Sequence, residues 1–311
     1  MPAYDLHDRL VVGVASSALF DLTESDAYFR EHGEAAYADY QDRHVDDLLA
    51  PGPAFPFIKR LLTLNDLRPR DPLVEVIVLS RNDASTGLRV MRSVEKHALG
   101  VTRAFFTQGR SPLGYIPALG MSLFLSQNRD DVVAAVRAGH PAGHVLPSTA
   151  AYDDSDRGLR IAFDFDAVLA TDESERVFQS EGMDSFVANE VAKRDIAHVP
   201  GLLQPLVADL NRIQLLEQQR QKDDPSYEPR VRIALVTARA APAHERAVHS
   251  LRSWGVTVND AFFLGGIEKA KVLQVLRPHM FFDDQHGHLS GALEHAAGVH
   301  VPCGVANETL F

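Results

Sequence analysis

The chain has 311 residues, of which 45% are hydrophobic and 23% charged, an ordinary mix for a soluble protein with a sizeable core. Lys and Arg number 31 against 42 Asp and Glu, and the formal net charge of −11 argues against nucleic acid or an anionic membrane held by bulk electrostatics. The single cysteine, Cys303, excludes an intrachain disulfide framework, suits a reducing cytoplasm and reads as a small buried hydrophobe.

No apolar run approaches the roughly 18 residues of a membrane span, and the polar, acid-bearing opening "MPAYDLHDRL" is not expected to be a secretory signal. Taken in chain order, strands are expected at 10–15, 74–80, 122–126, 161–166, 232–237 and 279–284. The first, second, fourth and fifth are near-continuous apolar runs, the pattern of parallel strands buried on both faces. Helical stretches such as 56–67 and 201–219 separate them. This alternation predicts an α/β fold, a parallel sheet between helices.

The two halves resemble one another. An offset of 149 carries Ala18 to Ala167, Glu24 to Glu173, Gly33 to Gly182 and Pro51-Gly52 to Pro200-Gly201. Later an offset of 157 carries Ala104-Phe105-Phe106 to Ala261-Phe262-Phe263. The change in offset falls in polar 217–230, read as an insertion in an exposed loop. An internal duplication follows, with 147–158 as linker, a first domain at 1–150 and a second at 151–311.

The acids collect where the strands of the second half end, which is where parallel sheets carry their sites. Asp164 and Asp166 close one strand, Thr237 another, and Asp283-Asp284 a third; Lys269 and Lys271 lie between the last two. Taken singly, each has an ordinary reading. An Asp-x-Asp pair or a threonine caps a helix, an Asp-Asp pair makes a turn, and a lysine sits in solvent. Taken together and in this order, they describe phosphoryl transfer. A carboxylate attacks, a second handles the proton, a hydroxyl and a lysine hold the phosphoryl group, and clustered carboxylates call for a hard cation such as Mg²⁺.

The four elements resemble the motifs of the haloacid dehalogenase superfamily. The stretches "AFDFDAVLATDESERVF", "LVTARAA", "LRSWGV", "PHMFFDDQ" and "PGPAFPFIKRLL" resemble the cytosolic 5′-nucleotidase I family, over nearly the whole chain. The resemblance implies a Rossmann-like fold and Mg²⁺-dependent dephosphorylation of nucleoside 5′-monophosphates, AMP prominent among them, through an aspartyl-phosphate. It implies Asp164 as nucleophile, Asp166 as general acid and base, and Thr237 and Lys269 on the phosphoryl group. Asp164, Asp166, Asp283 and Asp284 are then the metal set, with Asp283 the direct ligand of the acidic pair. Phe165 stands where the family tends to glycine and is expected to reshape the cleft.

By the same offsets Asp164 maps to Ala15, Asp166 to Ser17, Lys269 to Pro112, Asp283 to Ser126 and Asp284 to Gln127; only Thr237, on Ser80, keeps similar chemistry. The first half is therefore expected to be catalytically silent. For the substrate, Arg239 is the foremost candidate, with Arg176 and Phe178 in a segment, 172–198, where the superfamily often inserts a cap; Phe186 and Arg246 are weighed beside them. His286 and His288 read as loop residues rather than ligands. The partners implied are a nucleoside monophosphate, no nucleic-acid polymer and no membrane, in a cytoplasmic protein compatible with a homo-oligomer. A phosphatase for another small ester, or a nucleotide-binding regulator with vestigial acids, are the alternatives.

Overall fold

The computed structural model describes residues 4–310 except Asp154. Its strands are β1 (Leu10–Val14), β2 (Val74–Ser80), β3 (Arg103–Phe106), β4 (Leu123–Ser126), β5 (Ala142–Val145), β6 (Leu159–Phe163), β7 (Val231–Thr237), β8 (Asp260–Phe263), β9 (Met280–Asp283) and β10 (Ala297–His300). They form one sheet in the order β3-β2-β1-β4-β5-β10-β9-β6-β7-β8. Every pairing is parallel except β5 with β10, where Val145 faces Val299 and His144 faces His300.

The second half repeats the strand order of the first, and the antiparallel junction runs the two sets in opposite directions. Strand bounds keep the sequence offsets: Leu10 and Leu159 both open a first strand, and Ser80 and Thr237 both close a second. β1 and β2 are buried along their whole length, and β4 and β9 likewise. Helices cover both faces, which explains why β1, β2, β6 and β7 read as apolar runs instead of alternating.

The expected strands at 161–166 and 279–284 are shorter, ending at Phe163 and Asp283, so Asp164 and Asp284 lie just past the strand ends. β3, β5, β8 and β10 were not expected as strands; β3 and β8 open on Arg103 and Asp260, and β5 and β10 carry Gly and His, so none stands out as an apolar run. The stretch 217–230 is only partly loop. A helix runs from Gln204 to Asp223, and buried Glu217 accepts the N–H groups of Arg230 (2.8 Å) and Val231 (3.0 Å), anchoring the start of β7.

The repeat extends to turn chemistry. Gly33 and Gly182 both break a helical hairpin with positive φ, 80° and 85°. A Cβ on Gly201 would lie 2.6 Å from Ala170 O, and one on Gly52 2.8 Å from Ala18 O, so glycine at both positions admits a close backbone approach. No helix among the described residues is long and apolar enough to cross a membrane.

Candidate functional site

The site is built on three strand ends of the second half. The N–H of Asp164 donates to Phe282 O of β9 (2.8 Å), so the sheet itself sets where that side chain begins. Residues Phe165–Leu169 then make a π-type turn with Ala167 at φ 59°, whereas the first half has a four-residue α turn, Ser16–Leu19. The halves re-register one residue later: Phe20 bridges Pro51, and Ala170 bridges Pro200. Ala54 N–H donates to Ala18 O, and Leu203 N–H donates to Val168 O. The expected match of Ala18 with Ala167 is thus corrected to Val168, because the turn after Asp164 carries an extra residue. Asp166 (φ −71°, ψ 136°) and Ala167 (φ 59°, ψ −1°) have the backbone of a type II turn, which frees Asp166 from the strand's alternation.

Phe165 does not reshape the cleft. It is fully buried, stacked on Trp254 (6.0 Å, 11°) and edge-on to His198 (5.2 Å, 79°), so its bulk fills the core behind the turn.

Asp164, Asp283 and Asp284 each offer an oxygen within 4.8 Å of the others, and all three are buried. Lys269, first residue of the helix Lys269–Leu276, inserts its Nζ among them. It donates to Asp283 Oδ2 (2.7 Å) and forms an ion pair at 3.0 Å with Asp164 Oδ1 that lacks hydrogen-bond geometry. Asp283 Oδ1 accepts the N–H of Gln285 (2.8 Å) and contacts His288 Nδ1 (3.2 Å). His286 and His288 lie on a short helix, His286–Ser290, rather than in a loop. Thr237 ends β7, buried, and its Oγ1 accepts the N–H of Arg239 (3.3 Å).

Three buried carboxylates beside one ammonium leave excess negative charge. Burial, with Asp164 and Asp283 adding repulsion, pushes Asp284 up to about 9. Burial pushes Asp164 up to about 6 against the pull of Lys269, with Asp283 and Asp166 repelling. For Asp283, burial is outweighed by Lys269 and His288, and its carboxyl is held below the usual range. Lys269, despite its burial, is raised to about 12 by Asp164 and Asp283. Asp284 Oδ1 is buried without a hydrogen-bond partner, and Asp164 Oδ1 has only its ion pair with Lys269, a costly arrangement for carboxylates. Orphaned hard oxygens with unmet negative charge fit a divalent cation.

Asp166, expected in the metal set, lies outside this group. Its carboxylate is gripped by Arg239, Nε to Oδ2 at 2.8 Å and Nη2 to Oδ1 at 2.7 Å. This removes Arg239 as a substrate contact. It is buried, and its remaining N–H groups face Glu190, Ala243 O and His198 Nε2, which leaves none for a phosphate. Arg176, also expected at the substrate, pairs with Asp172 (2.9 Å) and Glu308 (2.7 Å), tying the hairpin to the C-terminal segment. Phe178 lies half-exposed, edge-on to Phe186 (6.3 Å, 79°), where the helices Glu173–Glu181 and Met183–Ala192 meet. Arg246 is buried against Glu190, Glu173 and Ile196 O.

Glu190 and His198, central to this network, were not singled out from the sequence. The signal was present in the repeat: Gln41 and Leu49 stand at the matching positions of the first half.

The first half has a cavity of about 350 Å³ at its own strand ends, lined among others by Ala15, Ser17, Ser80, Ser126 and Gln127. Ser16 and Ser80 share a hydrogen bond there (2.9 Å), and Arg81 is engaged with Asp131.

With this arrangement of acids at strand ends in view, comparison with known proteins places the chain in a family. A family model described as 5′-nucleotidase matches residues 2–308, and the chain belongs to that family. It is 32% identical over 291 residues to human cytosolic 5′-nucleotidase 1B, covering 92% of this chain and 47% of that protein. The chain thus spans about half the length of that curated relative. No solved structure matches.

Proposed function

We propose that the protein is a Mg²⁺-dependent 5′-nucleotidase that hydrolyses nucleoside 5′-monophosphates, AMP among them, through an aspartyl-phosphate on Asp164. The observation that carries this reading is the cluster of Asp164, Asp283 and Asp284 at the ends of β6 and β9, with Lys269 paired to Asp164 and Asp283. Family membership and the name of the human relative support the reaction class.

Asp164 is the nucleophile. An oxygen of its carboxylate attacks phosphorus as the bond from phosphorus to the 5′-oxygen breaks, and Asp166 gives its proton to that leaving oxygen. Water then attacks the aspartyl-phosphate, Asp166 takes a proton back, and phosphate leaves with Asp164 restored. Lys269 offsets the charge of the phosphoryl oxygens and of Asp164, and Thr237 offers a hydroxyl to them. Asp164, Asp283 and Asp284 would hold Mg²⁺, which when bound supplies positive charge against the phosphate dianion. The chemistry belongs to 151–311, and the half at 1–150 is silent, since Ala15, Ser126 and Gln127 replace the acids. The cytosolic relative, the single cysteine and the acidic charge support a cytoplasmic setting.

The test is phosphate release from a panel of phosphate esters. Release from nucleoside 5′-monophosphates that stops with a chelator and returns with Mg²⁺ supports the reading. Full activity after exhaustive chelation overturns the metal requirement, and preference for sugar phosphates overturns the substrate class.

A further inference from the structure

The buried network behind Asp166 occurs twice in this chain, once in each half, and the copies differ at three informative positions. In each half an arginine of the helix after the second strand anchors a helical hairpin. Arg89 Nε donates to Asp47 O (3.1 Å), and its Nη1 reaches Ser25 Oγ (3.5 Å) and Gln41 Oε1 (3.3 Å). Arg246 Nε donates to Ile196 O (2.9 Å) and its Nη1 to Glu190 Oε1 (2.9 Å). A serine one turn further on accepts a backbone N–H in both: Ser93 from Leu49 (3.1 Å), Ser250 from His198 (2.9 Å). These shared bonds hold each hairpin to its body whether or not the half carries the acids.

Three positions separate the copies. Gln41, Leu49 and Asn82 of the first half stand where the second has Glu190, His198 and Arg239. The last equivalence is structural as well: Asn82 N–H donates to Ser80 Oγ as Arg239 N–H donates to Thr237 Oγ1, both at 3.3 Å. All three residues of the second half lie on one line of contacts ending at Asp166. Glu190 and His198 Nε2 hold Arg239, and Arg239 holds both oxygens of Asp166. The half that has Ser17 near that position lacks all three.

We propose that Glu190 and Arg239 are positioning residues for proton transfer by Asp166, an assignment that rests on the nucleotidase reading above. Arg239 aims the Asp166 carboxylate through a bidentate fork. Glu190 holds Arg239 and is itself held by Arg246, so the fork that aims Asp166 is fixed from behind by buried ion pairs. His198 adds a buried contact but no charge, because burial and the two arginines hold its pKa below the usual value.

The test compares two leaving groups in Glu190→Gln, which copies Gln41 of the silent half, and in Arg239→Lys. The parameter is kcat/KM, which reports only steps up to departure of the leaving group. The 5′-oxygen of AMP needs a proton to leave, whereas the phenolate of p-nitrophenyl phosphate does not. The expected result for both variants is a loss of about 10²-fold with AMP and less than about threefold with p-nitrophenyl phosphate. Removing a buried ion-pair partner should lower the melting temperature of Glu190→Gln by roughly 6–10 °C, so both variants are assayed well below their own transitions. Equal losses with the two esters, or no loss with AMP, overturn the proposal. A parent that hydrolyses neither ester refutes the nucleotidase reading itself; an active parent whose variants lose both esters alike refutes only the positioning role.

Discussion

Replacing Lys269 by Met keeps most of the side-chain volume and removes the cation that pairs with Asp164 and Asp283 inside the acidic cluster. Lys269 is 4% exposed, and its Nζ lies 2.7 Å from Asp283 and 3.0 Å from Asp164. Breaking a buried ion pair by deleting one partner costs about 3–5 kcal/mol, because the other charge stays buried and uncompensated. At about 2 °C per kcal/mol for a chain of this size, the metal-free melting temperature should fall by roughly 6–10 °C near pH 7. The loss should shrink as pH falls below about 6, where Asp164 protonates and no longer needs a counter-charge. It should also shrink when Mg²⁺ is added, because a bound cation compensates the same charges. Differential scanning calorimetry with chelator, then with Mg²⁺, at pH 7 and pH 4 reads all of this. A variant as stable as its parent in chelator at pH 7 would refute the account of Lys269 as the cluster's counter-charge.

Asp164→Asn should lower nucleotide turnover to background while the far-ultraviolet circular dichroism stays unchanged, since an amide cannot form the acyl-phosphate; residual turnover above a mock preparation counts against the role. Gly201→Ala would place a Cβ 2.6 Å from Ala170 O and 2.7 Å from Val168 O, and should cost about 1–3 kcal/mol in denaturant unfolding. His279, buried and flanked by Arg60 and Arg160, has its pKa lowered to about 3. The unfolded chain binds a proton there near pH 6.5 and the folded one does not, so stability is present above 6.5 and lost as pH falls toward 3, by roughly 1.4 kcal/mol per unit. His279→Gln should flatten that part of a melting-temperature profile; an unchanged slope would show that other groups set it.

The sheet was legible where strands are long and buried. β1, β2, β6 and β7 show as apolar runs because helices cover both of their faces, and the acids at 164, 283 and 284 stand out against such runs. β3, β5, β8 and β10 were missed because β3 and β8 open on Arg103 and Asp260 and β5 and β10 carry Gly and His, so none stands out as an apolar run, whereas the equally short β4 and β9 lie within expected strands. The extra residue after Asp164 escaped a comparison by constant offset, since identical alanines at 18 and 167 concealed a slip that only backbone hydrogen bonds reveal. Arg239 was legible as important and misread in its partner. Its place beside Thr237 is written in the chain, but Asp166 and Glu190 reach it from elements 73 and 49 residues away in sequence.

The central claim is that phosphate passes through a covalent bond to Asp164. Acid-quenching the protein during turnover of nucleoside 5′-monophosphate carrying labelled phosphorus, followed by peptide mapping, tests it most directly. The account predicts an acid-stable, base-labile label on the peptide that contains Asp164, absent from Asp164→Asn. Sustained Mg²⁺-dependent phosphate release with no label on that peptide at any quench time would contradict it.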